Sequence, residues 1–472
     1  SGFLNTDTML GNALVYMYVK CGMLVNARGV IDELPDRNEV TWNTLIAGYA
    51  EHEQFYEAVK TFEEMQSEGF SPDAITLICI LKACGNIGAI DKGKKVHDEI
   101  VRKGFMKNED IVLGTALVEM YGKCGLVAKA QQVLEGLPIR DAITWNVLIA
   151  AYAQQGQCNA ALNCFEQMQS EGIPPDEVIF SCILKVCGTI GAIDRGQQIH
   201  EEIEARALLK KDLVLGNALV DMYAKCGMLV KAQEVLEGLP TRDTVTWSTL
   251  ITGYSQQEKF HESLNCFERM QREGHSPDAV TFICILKACG NIGAIDMGKE
   301  IHEEILTRGL FEENIALCNA LVDMYSKCGM LQKAHELLDE LLFRDIVVWT
   351  SLITGHAQQG QGANALACFE CLQNEGILPN EVAFLCVLNA CCHSGLLIET
   401  QILFENMIKK YNIAPNLEHY TCMLVGLGSA GQFGTAFSII SMMPSCDLQL
   451  ALLNACRKWL NVELGRMTFD QI

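Results

Sequence analysis

Apolar residues recur along this chain in pairs of helical stripes separated by short polar breaks. Between residues 39 and 73, Trp42, Leu45, Ile46 and Tyr49 share one helical face. Phe55, Ala58, Val59, Phe62 and Met65 share another. The polar stretch from Glu51 to Gln54 divides the two. Gly69 can take a left-handed cap and Pro72 cannot continue a helix, so the second helix ends there. The segment reads as a helical hairpin. A single hairpin leaves an apolar face in water, whereas stacked copies cover one another and form a solenoid with nearest-neighbour contacts.

The same hairpins return. Trp42, Trp145, Trp247 and Trp349 stand 103, 102 and 102 residues apart, within TWNTLIAGYA, TWNVLIAAYA, TWSTLITGYS and VWTSLITGHA. A second series runs GNALVYMYVKCG, GTALVEMYGKCG, GNALVDMYAKCG and CNALVDMYSKCG, and a third contains ICILKACGNIGAID and SCILKVCGTIGAID. Each unit of about 102 residues therefore holds three related hairpins. In order they are short 8–38, standard 39–73 and long 74–110, then 111–141, 142–176 and 177–212. The next set is 213–243, 244–278 and 279–314, followed by 315–345, 346–380 and 381–416. Residues 1–7 read as the tail of a preceding long repeat, and a last, degenerate short repeat occupies 417–448. First helices are expected on the concave side of a superhelix and second helices outside.

The triplet order resembles the PLS subclass of plant pentatricopeptide repeat proteins over essentially the whole chain. WNTLIAGYA, NALVDMYAKCG, ILKACGNIGAID and LEHYTCM near residue 420 carry the resemblance. A generic tetratricopeptide array would lack this order. The fold expected is all-α, a right-handed superhelical solenoid of stacked helical hairpins. The function implied is binding of single-stranded RNA, one base per repeat, with two or three side chains reading each splayed base. The resemblance places readout at the fifth residue of a repeat and at its last.

On that basis Asn12 with Asn38 resembles a cytosine reader. Asn43 with Asp73, Asn146 with Asp176, Asn217 with Asp243 and Asn319 with Asp345 resemble uracil readers. Thr115 with Asp141 and Ser248 with Asp278 look like guanine readers, and Thr350 with Asn380 like an adenine reader. These residues carry donors and acceptors suited to base edges, but the same types cap helices. Position five varies only among Asn, Thr and Ser within a fixed core, which favours readout. Long repeats carry Ile78, Ser181, Ile283 and Leu385 there, and three of the four cannot hydrogen-bond a base. The predicted RNA is 5′-CUnGUnUGnUAn-3′, with n at each long repeat. The resemblance also implies that the second residue sandwiches bases, namely Val40, Val112, Ile143, Val214, Val245 and Val347. Packing between hairpins would use the same residues.

Net charge alters the picture most. At -22, with 36 Lys+Arg against 58 Asp+Glu, the chain as a whole repels nucleic acid. Basic residues must then be concentrated where phosphates lie. Lys20, Lys123, Lys225 and Lys327 end the first helix of each short repeat and are the phosphate candidates; offsetting the helix dipole is their other use. The 22 cysteines recur at fixed repeat positions and read as small buried residues of a reducing compartment. No apolar run approaches the roughly 18 residues of a membrane span, so no membrane partner is expected.

Catalytic signatures are fragmentary. His200-Glu201-Glu202 and His302-Glu303-Glu304 match half of a zinc deaminase motif, yet with His97 they fill one repeat position. Cys368 and Cys371 have the spacing of the other half without its proline. No catalytic residue, metal or cofactor is expected, and the chain is not read as an enzyme. Leu452 to Arg466, LLNACRKWLNVELGR, resembles part of the family's E extension, so 449–472 reads as a partial extension without a deaminase domain. The leading expectation is selection of a site for cytidine-to-uridine editing. A deaminase-bearing relative and organellar cofactors would then act in trans. Localisation in a mitochondrion or chloroplast follows from the resemblance alone, since the chain opens Ser1-Gly2 with no visible targeting peptide. RNA stabilisation, processing or splicing without editing is the alternative, and a protein-binding helical scaffold is the reading from another class.

Overall fold

The computed structural model describes residues 8–34, 36–105, 111–210, 212–311, 314–341, 343–429 and 432. Residues 1–7, the extension at 449–472 and most of the last short repeat beyond helix Leu417–Ser429 lie outside the described residues. Among the described residues there are twenty-five α-helices and one 3-10 turn, Leu208–Lys210. None is long and apolar enough to cross a membrane.

The chain divides into two compact units, 1–241 and 242–472. In the first, helices Thr8–Lys20, Glu39–Glu51, Ala74–Ile87, Ile111–Lys123, Ala142–Gln154, Glu177–Ile190 and Leu213–Lys225 pack in succession. In the second, Thr244–Gln256, Ala279–Ile292, Ile315–Lys327, Ile346–Gln358, Glu381–His393 and Leu417–Ser429 do the same. Up to residue 409 each of these first helices is followed by an antiparallel partner. Each unit is thus a solenoid of stacked hairpins, in the predicted order.

The three repeat lengths have separate structural origins. Short repeats have second helices of 9 or 10 residues, such as Val127–Glu135 and Leu229–Gly238, against 13 in standard repeats such as Phe55–Ser67. Long repeats add a residue to the first helix, giving 14 in Ala74–Ile87, Glu177–Ile190 and Ala279–Ile292. Each of these three ends on a left-handed glycine, Gly88, Gly191 or Gly293.

Trp42, Trp145, Trp247 and Trp349 are buried, as their alignment implies, and truncating one to Ala should cost about 3–5 kcal/mol. The glycine that ends K-x-C-G in the first three long repeats has a packing reason. A Cβ on Gly85, Gly188 or Gly290 would lie 3.2 Å from the Cα of Met120, Met222 or Met324. Only glycine lets the next short repeat approach that closely.

The cysteines depart in part from uniform burial. Cys84, Cys187, Cys289 and Cys391 are fully buried, and burial pushes the Cys84 and Cys187 thiols up to about 11. Cys124, Cys226 and Cys328 are half-buried, each thiol within 3.7–3.8 Å of the carbonyl of Cys84, Cys187 or Cys289. Cys21 is exposed.

Candidate nucleic-acid interface

Position two and position five of a repeat lie three residues apart on the first helix, and hence on one face. The last residue of the repeat starts the next helix. Asn38, Asp73, Asp141, Asp176, Asp243, Asp278, Asp345 and Asn380 are all N-caps with extended backbone. In each, one side-chain oxygen accepts the N–H of the third helical residue at 2.7–3.0 Å. The capping alternative is therefore real. It does not consume the whole side chain.

Asp73 shows the division of labour. Its Oδ1 caps, and its Oδ2 accepts a 2.8 Å hydrogen bond from Asn43 Nδ2. The Thr76 hydroxyl donates to Asn43 Oδ1 at 2.6 Å, which fixes the amide with its nitrogen toward the carboxylate. Asp345 Oδ2 accepts from Asn319 Nδ2 at 2.9 Å in the same way. In the Asn12–Asn38 pair, Asn38 Oδ1 takes the cap and also a 3.4 Å bond from Asn12 Nδ2. With its oxygen committed, Asn38 has Nδ2 left as a donor.

The hydroxyl pairs are joined through a threonine at position three. Ser248 is 2.6 Å from Thr281 Oγ1 and 3.4 Å from Asp278 Oδ1. Thr115 is 2.9 Å from Thr144 Oγ1, which reaches Asp141 Oδ1 at 2.6 Å. Ile179 and Ala383 stand in place of that threonine for the Asn146–Asp176 and Thr350–Asn380 pairs, so this link is missing there. The Thr350 hydroxyl turns back to the Ile346 carbonyl at 2.9 Å. Asn217 belongs to the first unit and Asp243 to the second.

Val40, Val112, Ile143, Val214, Val245 and Val347 are 50–64% exposed, so packing between hairpins does not account for them. The series extends further than the sequence reading took it. Ile75, Val178, Val280 and Val382, at position two of the long repeats, are 54–65% exposed. Their apolar character one residue into each first helix was the missed signal.

Lys20, Lys123, Lys225 and Lys327 each end a first helix as predicted, but all four are engaged. Lys20 pairs with Glu51 at 3.0 Å, and Lys123, Lys225 and Lys327 pair with Glu119, Asp221 and Asp323 at 2.8 Å. Each phosphate candidate thus already carries a carboxylate partner. The last three pairs sit at i,i+4 spacing on exposed helix, where such a bridge is worth only about 0.3–0.5 kcal/mol. Lys82, Lys185 and Lys287, on the first helices of long repeats, are exposed and form no ion pair among the described residues. They recur in I-L-K in the first three triplets, while the fourth has Asn389 there.

The histidines of the fragmentary zinc motif have a structural use. His97, His200 and His302 each place Nδ1 2.9 Å from a tyrosine hydroxyl, Tyr121, Tyr223 or Tyr325, of the next short repeat. Burial lowers all three pKa values.

Comparison with known proteins agrees with the fold. The PPR repeat family model matches residues 37–86, 140–189, 242–291 and 344–393, and the PPR repeat model matches 217–243, 316–346, 382–411 and 418–448. A pentatricopeptide repeat-containing protein of Arabidopsis thaliana is 32% identical over 469 residues, covering 98% of this chain and 67% of that protein. Another from Arabidopsis thaliana, named as chloroplastic, is 32% identical over 475 residues, covering 100% of this chain and 58% of its own. The chain spans about half to two thirds of the length of the curated relatives it matches. Among solved structures, a variant of pentatricopeptide repeat protein PPR10 with three Cys-to-Ser substitutions, in complex with an 18-nt psaJ RNA element, aligns with a TM-score of 0.53 at 17% identity. The alignment covers 98% of this chain and 83% of that one. With repeat matches in both units and a relative aligned almost end to end, the chain belongs to the pentatricopeptide repeat family.

Proposed function

We propose that the chain binds single-stranded RNA sequence-specifically, one base per repeat, along the face bearing positions two and five. The observation that carries this reading is the double use of the last residue. The cap holds one oxygen on the backbone, which fixes what remains for a base. Aspartate retains a carboxylate acceptor, complementary to the ring N–H at the centre of the uracil or guanine edge. Asparagine retains an amide donor, complementary to the bare ring nitrogen of cytosine or adenine. Position five then sorts by size. Asparagine reaches a pyrimidine, and the shorter threonine or serine leaves room for a purine. The site read is 5′-CUnGUnUGnUAn-3′.

The exposed aliphatic residues at position two supply apolar contact to base faces. Lys82, Lys185 and Lys287 supply phosphate contacts, joined by the ion-paired lysines once a phosphate displaces their carboxylates. The short, standard and long order places the chain in the PLS subclass, with an E-type extension over 449–472. Its role is selection of a cytidine for editing in a chloroplast or mitochondrion, where relatives named as chloroplastic and mitochondrial point. The cytidine selected lies four nucleotides beyond the base under the repeat that starts at Leu417.

The test is a swap at one repeat. Thr115→Asn, opposite Asp141, converts the pair to the Asn43–Asp73 type. Preference at that position should move from guanine to uracil by about 1–3 kcal/mol, with other positions unchanged. A loss equal for all four bases would show that these residues only hold helices.

A further inference from the structure

The fourth triplet departs from its sisters at three positions that converge in space. His335, on helix Leu331–Glu340, stands where the second and third triplets have Gln131 and Gln233. His356, on helix Ile346–Gln358, stands where they have Tyr152 and Tyr254. Cys371, on helix Gly362–Asn374, replaces Gln167 and Arg269. In the second triplet the corresponding pair is a hydrogen bond from the Tyr152 hydroxyl to Gln131 Oε1. In the fourth it is two imidazoles whose Nε2 atoms face each other at 3.0 Å. One Sγ, that of Cys368, lies with both histidines in a group whose donor atoms are all within 4.8 Å of one another. Cys371, one helical turn beyond Cys368, lines the same groove.

We propose that His335, His356 and Cys368, with Cys371 as fourth ligand, form a binding site for a zinc-class divalent cation. The geometry suits the ion. With Zn–N bonds of about 2.0–2.1 Å, two nitrogens on a tetrahedral centre stand about 3.3 Å apart, close to the separation already present. Imidazole and thiolate are the donors that zinc takes in structural sites. His356 also has the orienting partner expected of a ligating histidine. Its Nδ1 lies 2.9 Å from Gln361 Oε1, so Nδ1 carries the proton and Nε2 presents its lone pair. His356 and Cys368 are buried, His335 is half-buried and Cys371 is exposed, which leaves one side open for the ion to enter. The cation would tie the second helix of the short repeat 315–345 to both helices of the standard repeat 346–380, a clasp that the other three triplets lack.

Cobalt(II) titration of the fully reduced chain reads the site directly. A thiolate-to-cobalt charge-transfer band with tetrahedral ligand-field absorption should saturate at one equivalent, and zinc should displace it. The double variant H335Q/H356Y installs the residues that the second and third triplets carry, so folding is expected to survive, as helical circular dichroism would show. It should weaken cobalt binding at least about tenfold, as should Cys371→Gln. Zinc should raise the melting temperature of the unaltered chain and not that of the double variant. A wild-type chain without the tetrahedral cobalt spectrum, or either variant binding with unchanged affinity, would overturn the assignment.

Discussion

Asp73→Asn separates the two uses of the residue that closes a repeat. Asparagine caps a helix as well as aspartate does. Helix Ala74–Ile87 should keep its bond from the Thr76 N–H, and the loss should be confined to the exposed bond from Asn43 Nδ2, about 0.5 kcal/mol. Asp73→Ala removes the cap and should cost about 0.5–2 kcal/mol. Readout should behave differently. With the capping oxygen retained, asparagine would offer an amide donor where Asp73 Oδ2 now accepts from Asn43 at 2.8 Å. Uracil would then meet donor against donor, while cytosine would find a partner. The preference should reverse by about 1–3 kcal/mol at that one position, roughly five- to 150-fold in relative affinity. Fluorescence anisotropy with four RNAs differing at that nucleotide measures it, alongside denaturant unfolding of both variants. Equal weakening for all four bases, or an Asp73→Asn variant as unstable as Asp73→Ala, would refute the reasoning.

Salt dependence separates the two sets of lysines. Lys82→Ala with Lys185→Ala should flatten the log–log salt slope of RNA binding by about 1.4, at roughly 0.7 per contact on a single strand. Lys123→Ala with Lys225→Ala should flatten it less, because Glu119 and Asp221 already neutralise those cations. An equal effect of the two pairs would contradict this division. Glu258 takes a left-handed conformation, φ 58°, at the turn where Gly156 and Gly360 sit in other standard repeats. Glu258→Gly should stabilise the second unit by about 0.5–1 kcal/mol, since the strain relieved exceeds the entropy glycine adds; a lowered denaturation midpoint would count against it.

The stacked helical hairpins were legible because apolar stripes, Gly-x-x-Pro stops and the tryptophan period are local signals. The candidate readers could be named as polar residues set off a fixed apolar stripe, and the structure brings Asn43 to Asp73 and Asn319 to Asp345 within hydrogen-bond distance. What the sequence did not yield was how one side chain divides its two ends between the helix cap and the fifth residue of its repeat. That depends on which oxygen faces which neighbour, and so on Thr76 and Asn43 approaching from different helices. The engagement of Lys123, Lys225 and Lys327 could have been read, since Glu119, Asp221 and Asp323 lie four residues earlier on the same helix face. The position-two series in long repeats was also visible as Ile75, Val178, Val280 and Val382, apolar at the same place as in the other repeats. The convergence of His335, His356 and Cys368 could not be read, because it joins three helices whose relative placement only packing sets.

Selection of bound molecules from a random pool of single-stranded RNA tests the central claim most directly. Enrichment of 5′-CUnGUnUGnUAn-3′, with fixed three-nucleotide phasing and open positions at n, is the predicted result. A pool that stays random after selection, or an enriched sequence that keeps its affinity when the guanine under Thr115 and Asp141 is changed, would contradict it.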